Sequence, residues 1–255
     1  MTGAKRSPGL DALRGAFVLL MIVYHAAYIG VMQGILSLEL YTGFWWLFPR
    51  AIAAGFIALS GWSLDAKKNA GAPYGYFARR AARLALPALC VSAASLIMFG
   101  RGSFVFFGIL HALALSSLLA WPLLGRPALA LAAALAALAA GLALGPLRFG
   151  WPYLAWLGFR PRGLYPVDYL PLLPWFAWTA LGAAAHALSG RLSPLLRPPR
   201  QITLVPSRDT GRNDAHGAAG RIVTTLAFLG RHSLIIYLAH LPLLFGLALV
   251  LKLIL

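Results

Sequence analysis

The sequence predicts an all-α membrane protein, a bundle of about seven transmembrane helices with a central polar tunnel. Hydrophobic residues form 60% of the 255-residue chain and charged residues only 11%, whereas a soluble domain carries about 25% charged residues. Several apolar runs exceed the roughly 18 residues that cross a bilayer as a helix. These runs lack the apolar–polar alternation of membrane strands, so helices are the predicted spanning elements.

The apolar runs place seven spans along the chain, separated by clusters of proline, glycine and arginine. The stretch 222–230 is apolar as well, and it fits either an interfacial helix or the start of a longer last span. The predicted spans cover residues 13–32, 44–64, 82–100, 103–124, 127–145, 169–188 and 233–255.

The charge distribution predicts the orientation of these spans. The chain holds 22 lysines and arginines against 6 acids, a net charge of +16. Most of the cations lie in alternate loops, so we read them as topogenic charge and predict no nucleic-acid partner. The positive-inside rule then places the N-terminus in the cytoplasm. The Pro-, Gly- and Arg-rich stretch 197–221 predicts a flexible cytoplasmic loop at about 190–221, within a single domain that covers 1–255.

Ionisable groups inside apolar spans are costly, so each is a functional candidate. Asp11, Arg14 and His25 share one face of the first helix, because steps of three and four residues nearly complete its turns. Asp11 and Arg14 can pair there. His25 lies roughly 16 Å beyond Arg14, near the membrane midplane. The alternative for His25 is a hydrogen bond that only holds neighbouring helices together.

Four other spans each carry one such group, at depths between the cytoplasmic third and the outer third. Snorkelling to the outer surface is the alternative for Arg50, and helix capping is the alternative for Asp168. Polar groups from five spans suit a tunnel better than five unrelated contacts. The four groups are Arg50, His111, Asp168 and His240.

Five motifs occur in an order that resembles a known family. They are "RSPGLDALRG", "FPRAIAAGFIALSGWSL", "GILHALALSSLL", "VDYLPLLPWFAWTALG" and "LGRHSLIIYLAHLPLL". Together they resemble the bacterial relatives of heparan-α-glucosaminide N-acetyltransferase, over most of the chain except the fifth span and the 197–221 loop. One departure concerns the base. Animal members carry a histidine in the first non-cytoplasmic loop, but residues 30–43 hold none, and His25 stands where the animal enzymes have asparagine.

The resemblance implies a transmembrane acyltransferase in the bacterial inner membrane. It takes an acetyl group from cytoplasmic acetyl-CoA and delivers it to an acceptor, an amino sugar or glycan, on the outer side. A desolvated neutral imidazole suits the base of such a transfer. The catalytic candidates are His25 first, then His111 and His240. The acceptor-binding candidates are Asp11, Arg50 and Asp168. The candidates for the coenzyme phosphates are basic, with topogenic charge as the alternative: Arg14, Arg79, Arg80, Arg83 and Arg231.

Two other classes of function stay open, and no metal is predicted. A proton-coupled transporter or flippase would use intramembrane histidine and arginine equally well. In a scaffold subunit all of these polar groups would be structural. The residues leave open the acceptor, N- or O-acylation, the acyl chain length, an acyl-histidine intermediate and a homodimer.

Overall fold

The computed structural model describes residues 7–150, 153–163, 166, 168–192 and 213–254. Within these ranges the regular structure is helical, apart from two isolated β-bridges in loops. This confirms the predicted all-α class. The helices α1 to α8 are Pro8–Met32, Gly43–Asn69, Tyr74–Phe99, Ile109–Leu119, Pro127–Leu144, Leu172–Leu192, Asn213–Arg231 and Ser233–Ile254, with a short 3-10 helix at Ala155–Leu157.

Five described helices, α1, α2, α3, α5 and α8, are long and apolar enough to cross a membrane. Each of them corresponds to a predicted span. The largest difference concerns span 103–124, of which only the 11 residues of α4 are helical. Gly100 and Gly125 have positive φ angles of 72° and 77° on either side of this segment, a backbone conformation that favours glycine and interrupts helices. The count of seven spans and the central tunnel stay predictions.

The described contacts divide the chain into two compact units. Unit 1 comprises Met1–Phe56 and Arg197–Leu255, and therefore contains α1, the first half of α2, α7 and α8. Unit 2 comprises Ile57–Leu196 and contains the second half of α2 together with α3 to α6. The loop predicted at about 190–221 falls mainly on residues 193–212, which lie outside the described ranges, and its two ends belong to α6 and α7.

Glycines bring α1 and α7 into backbone contact in unit 1. A Cβ at Gly15 would overlap the carbonyl of Leu226, and a Cβ at Gly230 would overlap the carbonyl of Asp11. Since Leu226 lies opposite Gly15 and Gly230 lies opposite Asp11, the two helices run antiparallel. Small residues permit this close approach between membrane helices. Residues 222–230, which the sequence left ambiguous, therefore belong to a separate helix that ends just before α8.

Alanines form the interface between α5 and α6 in unit 2. They are buried and make one cluster, consisting of Ala130, Ala134, Ala137, Ala177, Ala180 and Ala184 together with Leu123. Small side chains of this kind let membrane helices approach each other closely. A glycine allows α2 to approach α6 closely as well, because a Cβ at Gly61 on α2 would overlap the carbonyl oxygen of Thr179 on α6.

Candidate functional site

Two of the three predicted catalytic histidines meet in unit 1. His25 on α1 and His240 on α8 have ring centroids 4.8 Å apart, with an interplanar angle of 74°. His240 is buried, with 4% of its surface exposed, and His25 is half-buried. We call these two residues the histidine pair.

Backbone contacts determine the tautomer of both members of the histidine pair. Nδ1 of His25 lies 2.9 Å from the carbonyl oxygen of Met21, and Nδ1 of His240 lies 2.6 Å from that of Tyr237. A carbonyl oxygen only accepts hydrogen bonds, so Nδ1 carries the proton and Nε2 of the neutral ring keeps its lone pair. Nε2 of His240 is buried without a hydrogen-bond partner among the described residues. A buried acceptor of this kind is costly unless something binds to it, which makes the pair a candidate site.

Tyrosines border the histidine pair on both sides. The Tyr24 ring packs edge-on against His25 at 5.3 Å, and the Tyr237 ring lies 5.6 Å from His240. Arg50, from the first half of α2, interacts electrostatically with Tyr24 and lies over the Trp46 ring at 4.0 Å. Helix α2 therefore brings a cation, the predicted acceptor-binding residue Arg50, to the Tyr24 side of the histidine pair.

Asp11 and Arg14 pair with each other one turn apart on α1, as their spacing predicted. Arg14 Nη1 donates to Asp11 Oδ1 over 2.9 Å, and Asp11 is only 2% exposed. The ion pair reduces the net charge that Arg14 can offer to a phosphate. The roles of Asp11 in acceptor binding and of Arg14 in coenzyme binding stay predictions.

His111 in unit 2 uses both ring nitrogens in local hydrogen bonds. The Gly108 amide donates to Nδ1 over 3.3 Å, so the proton is on Nε2, which lies 3.3 Å from Ser92 Oγ. Ser92 in turn donates to the carbonyl of Val105 over 2.6 Å. These bonds give His111 a structural role at the start of α4. Its catalytic role stays a prediction.

Asp168 caps α4 rather than the helix that follows it in the chain. Its Oδ2 accepts the Ile109 amide at 3.3 Å and would overlap a Cβ at Gly108. Burial raises the pKa of this carboxyl to about 6, and the Ile109 hydrogen bond opposes that rise. Capping was the alternative reading of this residue. Its part in acceptor binding stays a prediction.

The predicted coenzyme-binding arginines differ in their surroundings. Arg79, Arg83 and Arg231 are exposed. Arg80 donates to the hydroxyls of Ser60 and Ser117, both of which are buried. Arg80 therefore links α3 to α2 and α4, and this structural use of its guanidinium was not expected from the sequence.

A buried acid in unit 2 was missed by the sequence analysis. Asp65 on α2 is 0% exposed, and its Oδ2 lies 2.7 Å from Nδ1 of His186 on α6. Its other oxygen accepts the Gly125 amide. In the sequence, His186 lies near the end of the predicted span 169–188, and Asp65 directly follows the span 44–64, close to Lys67 and Lys68, so both resemble ordinary polar groups at helix ends. The one available signal was that Asp65 is an acid among cations, in a chain with only 6 acids.

Comparison with known proteins finds one family for almost the whole chain. Residues 6–242 match the family described as "Heparan-alpha-glucosaminide N-acetyltransferase, catalytic". No curated protein and no solved structure matches the chain significantly.

Proposed function

Because the chain belongs to the heparan-α-glucosaminide N-acetyltransferase catalytic family, we propose that it moves an acetyl group from cytoplasmic acetyl-CoA to an amino sugar or glycan on the outer side of the membrane. The family is one of acyltransferase-type enzymes, and the candidate membrane spans supply the hydrophobic segments that a membrane-embedded transfer requires. The membrane we propose is a bacterial inner membrane, with the N-terminus in the cytoplasm.

The histidine pair supports the proposed chemistry. A thioester is already activated, so its acyl transfer chiefly needs a base and correct positioning. Nε2 of His25 takes the proton from the acceptor amine or hydroxyl while the acceptor nitrogen or oxygen bonds to the acetyl carbon. The carbon–sulfur bond then breaks and the electron pair leaves with the coenzyme thiolate. The proton on Nδ1, bound to the Met21 carbonyl, keeps Nε2 in the form that a base requires.

The unpartnered Nε2 of His240 is the single observation that carries this proposal. It lies beside His25 in a buried position, where an acceptor N–H or O–H would satisfy its lone pair. His25 is the first candidate for the base and His240 the second, and the imidazole that is not the base orients the acceptor. Direct transfer to the acceptor needs no acyl-histidine intermediate.

Replacing each histidine of the pair tests the proposal. The assay follows coenzyme thiol release and acetyl transfer from radiolabelled acetyl-CoA to glucosamine, in vesicles of purified protein. His25→Ala and His240→Ala should each lower the rate by about 100-fold or more, the usual contribution of a general base, with acetyl-CoA binding retained. His232→Ala is the matched control, because that imidazole makes the same Nδ1–carbonyl bond but is exposed. Full activity in both variants of the pair would overturn the assignment.

Proton-coupled transport without acyl transfer is the second candidate, because two contacting imidazoles inside a membrane also suit a proton relay. The two functions differ in one measurement. A transporter would acidify or alkalinise the vesicle lumen with its solute and release no thiol from acetyl-CoA, whereas the proposed enzyme releases one thiol for each acetyl group transferred.

A further inference from the structure

Asp65 and His186 form a second site in unit 2, which we call the Asp65 dyad. The 2.7 Å contact joins Oδ2 of Asp65 to Nδ1 of His186, so the carboxylate accepts the Nδ1 proton and fixes the ring orientation. A buried carboxylate that orients a histidine in this way leaves Nε2 for another partner. The His186 side chain is 23% exposed, and no hydrogen bond to its Nε2 occurs among the described residues.

Three contacts hold the dyad in place. The Gly125 amide, in the turn between α4 and α5, and the Asn69 side chain at 3.2 Å both donate to the Asp65 carboxylate. Gly125 has a φ of 77°, which a residue with a side chain rarely adopts. The Trp62 ring packs edge-on against His186 at 5.2 Å. The imidazole is thus fixed, although it lies at the surface.

The same end of unit 2 is strongly basic. Lys68 lies one turn beyond Asp65, donates to the Trp121 carbonyl over 2.8 Å and interacts electrostatically with Arg126. Arg191 follows His186 on α6, and both Arg126 and Arg191 are exposed. Residues 57–196 contain two acids against eleven lysines and arginines. One of these acids is the buried Asp65, and the other, Asp168, caps the opposite end of α4.

We propose that this basic end binds a phosphate group of the acyl-donor coenzyme, with Nε2–H of His186 as the oriented donor and Arg126 and Arg191 as surrounding charge. The inference rests on the proposed function for the identity of its ligand. Protonated His186 donates from both nitrogens, to Asp65 through Nδ1 and to a phosphate oxygen through Nε2. Hydrogen bonds of this kind, between charged groups, are among the stronger ones in proteins. The phosphate of an anionic lipid has the same chemistry, and the experiment separates the two.

Calorimetric titration of the detergent-solubilised full chain tests the assignment with two ligands, acetyl-CoA and S-acetylpantetheine, which carries the same thioester without phosphate. His186→Gln should weaken acetyl-CoA binding by about tenfold or more and leave S-acetylpantetheine binding unchanged. His186→Arg restores the charge and should recover most of the affinity. Arg126→Gln and Arg191→Gln change only exposed side chains, so they provide the same comparison if His186→Gln fails to fold. His232→Gln is the control.

Equal weakening of both ligands would assign a structural role to His186 and overturn the inference, as would unchanged acetyl-CoA binding in all of the variants. Loss of binding to phosphatidylglycerol vesicles alone would make the occupant a lipid and overturn it too. Two results together would overturn the inference and leave the proposed function standing. The wild-type protein would release thiol from acetyl-CoA, and the His186 and arginine variants would bind acetyl-CoA normally. Acetyl-CoA binding that depends on its phosphates, without thiol release, would support the inference and overturn the proposed function. If the wild-type protein did not bind acetyl-CoA, both would be overturned.

Discussion

At the scale of single residues, Asp168 makes stability depend on pH. Its folded-state pKa of about 6 lies above the ordinary value of 3.8, so between about pH 4 and pH 6 the folded protein binds this proton more tightly than the unfolded chain. The contribution of Asp168 to stability is therefore greatest below pH 4 and falls as the pH rises through 6. Asp168→Asn keeps an acceptor for Ile109 but cannot ionise.

We expect the thermal midpoint of Asp168→Asn to rise, relative to wild type, between pH 4.5 and pH 7. Glu39→Gln changes an exposed acid and should show no comparable trend. Differential scanning fluorimetry across this range measures both variants. A constant difference between Asp168→Asn and wild type would show that the carboxyl does not titrate in this window.

Pairings between residues were less predictable than positions along the chain. The Asp11–Arg14 pair followed from a spacing of three residues on one helix. The histidine pair did not, because depth places two histidines in the membrane without giving the rotation of either helix. The partner of Asp65 is 121 residues away, and no local pattern connects positions so distant in sequence. Local hydrogen bonds also gave His111 a structural role that its residue type does not reveal.

At the scale of elements, the contact between α1 and α7 depends on two glycines. Gly15→Ala places a methyl group against the Leu226 carbonyl, where backbone rather than a flexible side chain must move. We expect a loss of about 1–3 kcal/mol, the usual cost of overpacking, measured as a lower unfolding midpoint in detergent. Gly246→Ala on α8 is the control, because its Cβ would meet nothing within 4 Å. Equal midpoints for the two variants would contradict the close packing of α1 and α7.

Helix positions were predictable where hydropathy and helix breakers agreed. The predicted span 127–145 and the observed α5, Pro127–Leu144, agree to within one residue, because a proline begins the helix and a glycine follows it. Span 103–124 was overestimated because apolar residues continue through irregular backbone on both sides of α4. For helix α7 the sequence left two alternatives, an interfacial helix at 222–230 or the start of the last span, because its first residues are polar and only its second half is apolar.

At the scale of the whole molecule, the positive-inside pattern predicts which loops face the cytoplasm. In a Cys90→Ser background, Ala70→Cys in the turn after α2 should react with a membrane-impermeant maleimide only from the cytoplasmic side. Gly102→Cys, between α3 and α4, should react only from the outside. Labelling intact and permeabilised spheroplasts measures both. The reverse pattern would invert the orientation and place the Asp65 dyad away from cytoplasmic coenzyme.

The two-unit division has a consequence for biogenesis. Unit 2 is one continuous stretch of chain, whereas unit 1 joins residues 1–56 to residues 197–255. Since a ribosome releases the chain from its N-terminus, unit 2 can complete its contacts while α1 still lacks α7 and α8. His25 is synthesised before unit 2 and His240 after it, so the two imidazoles meet only once the whole of unit 2 has been translated. The histidine pair therefore forms after unit 2 has been synthesised, and a chain terminated before α8 has all of unit 2 but no histidine pair.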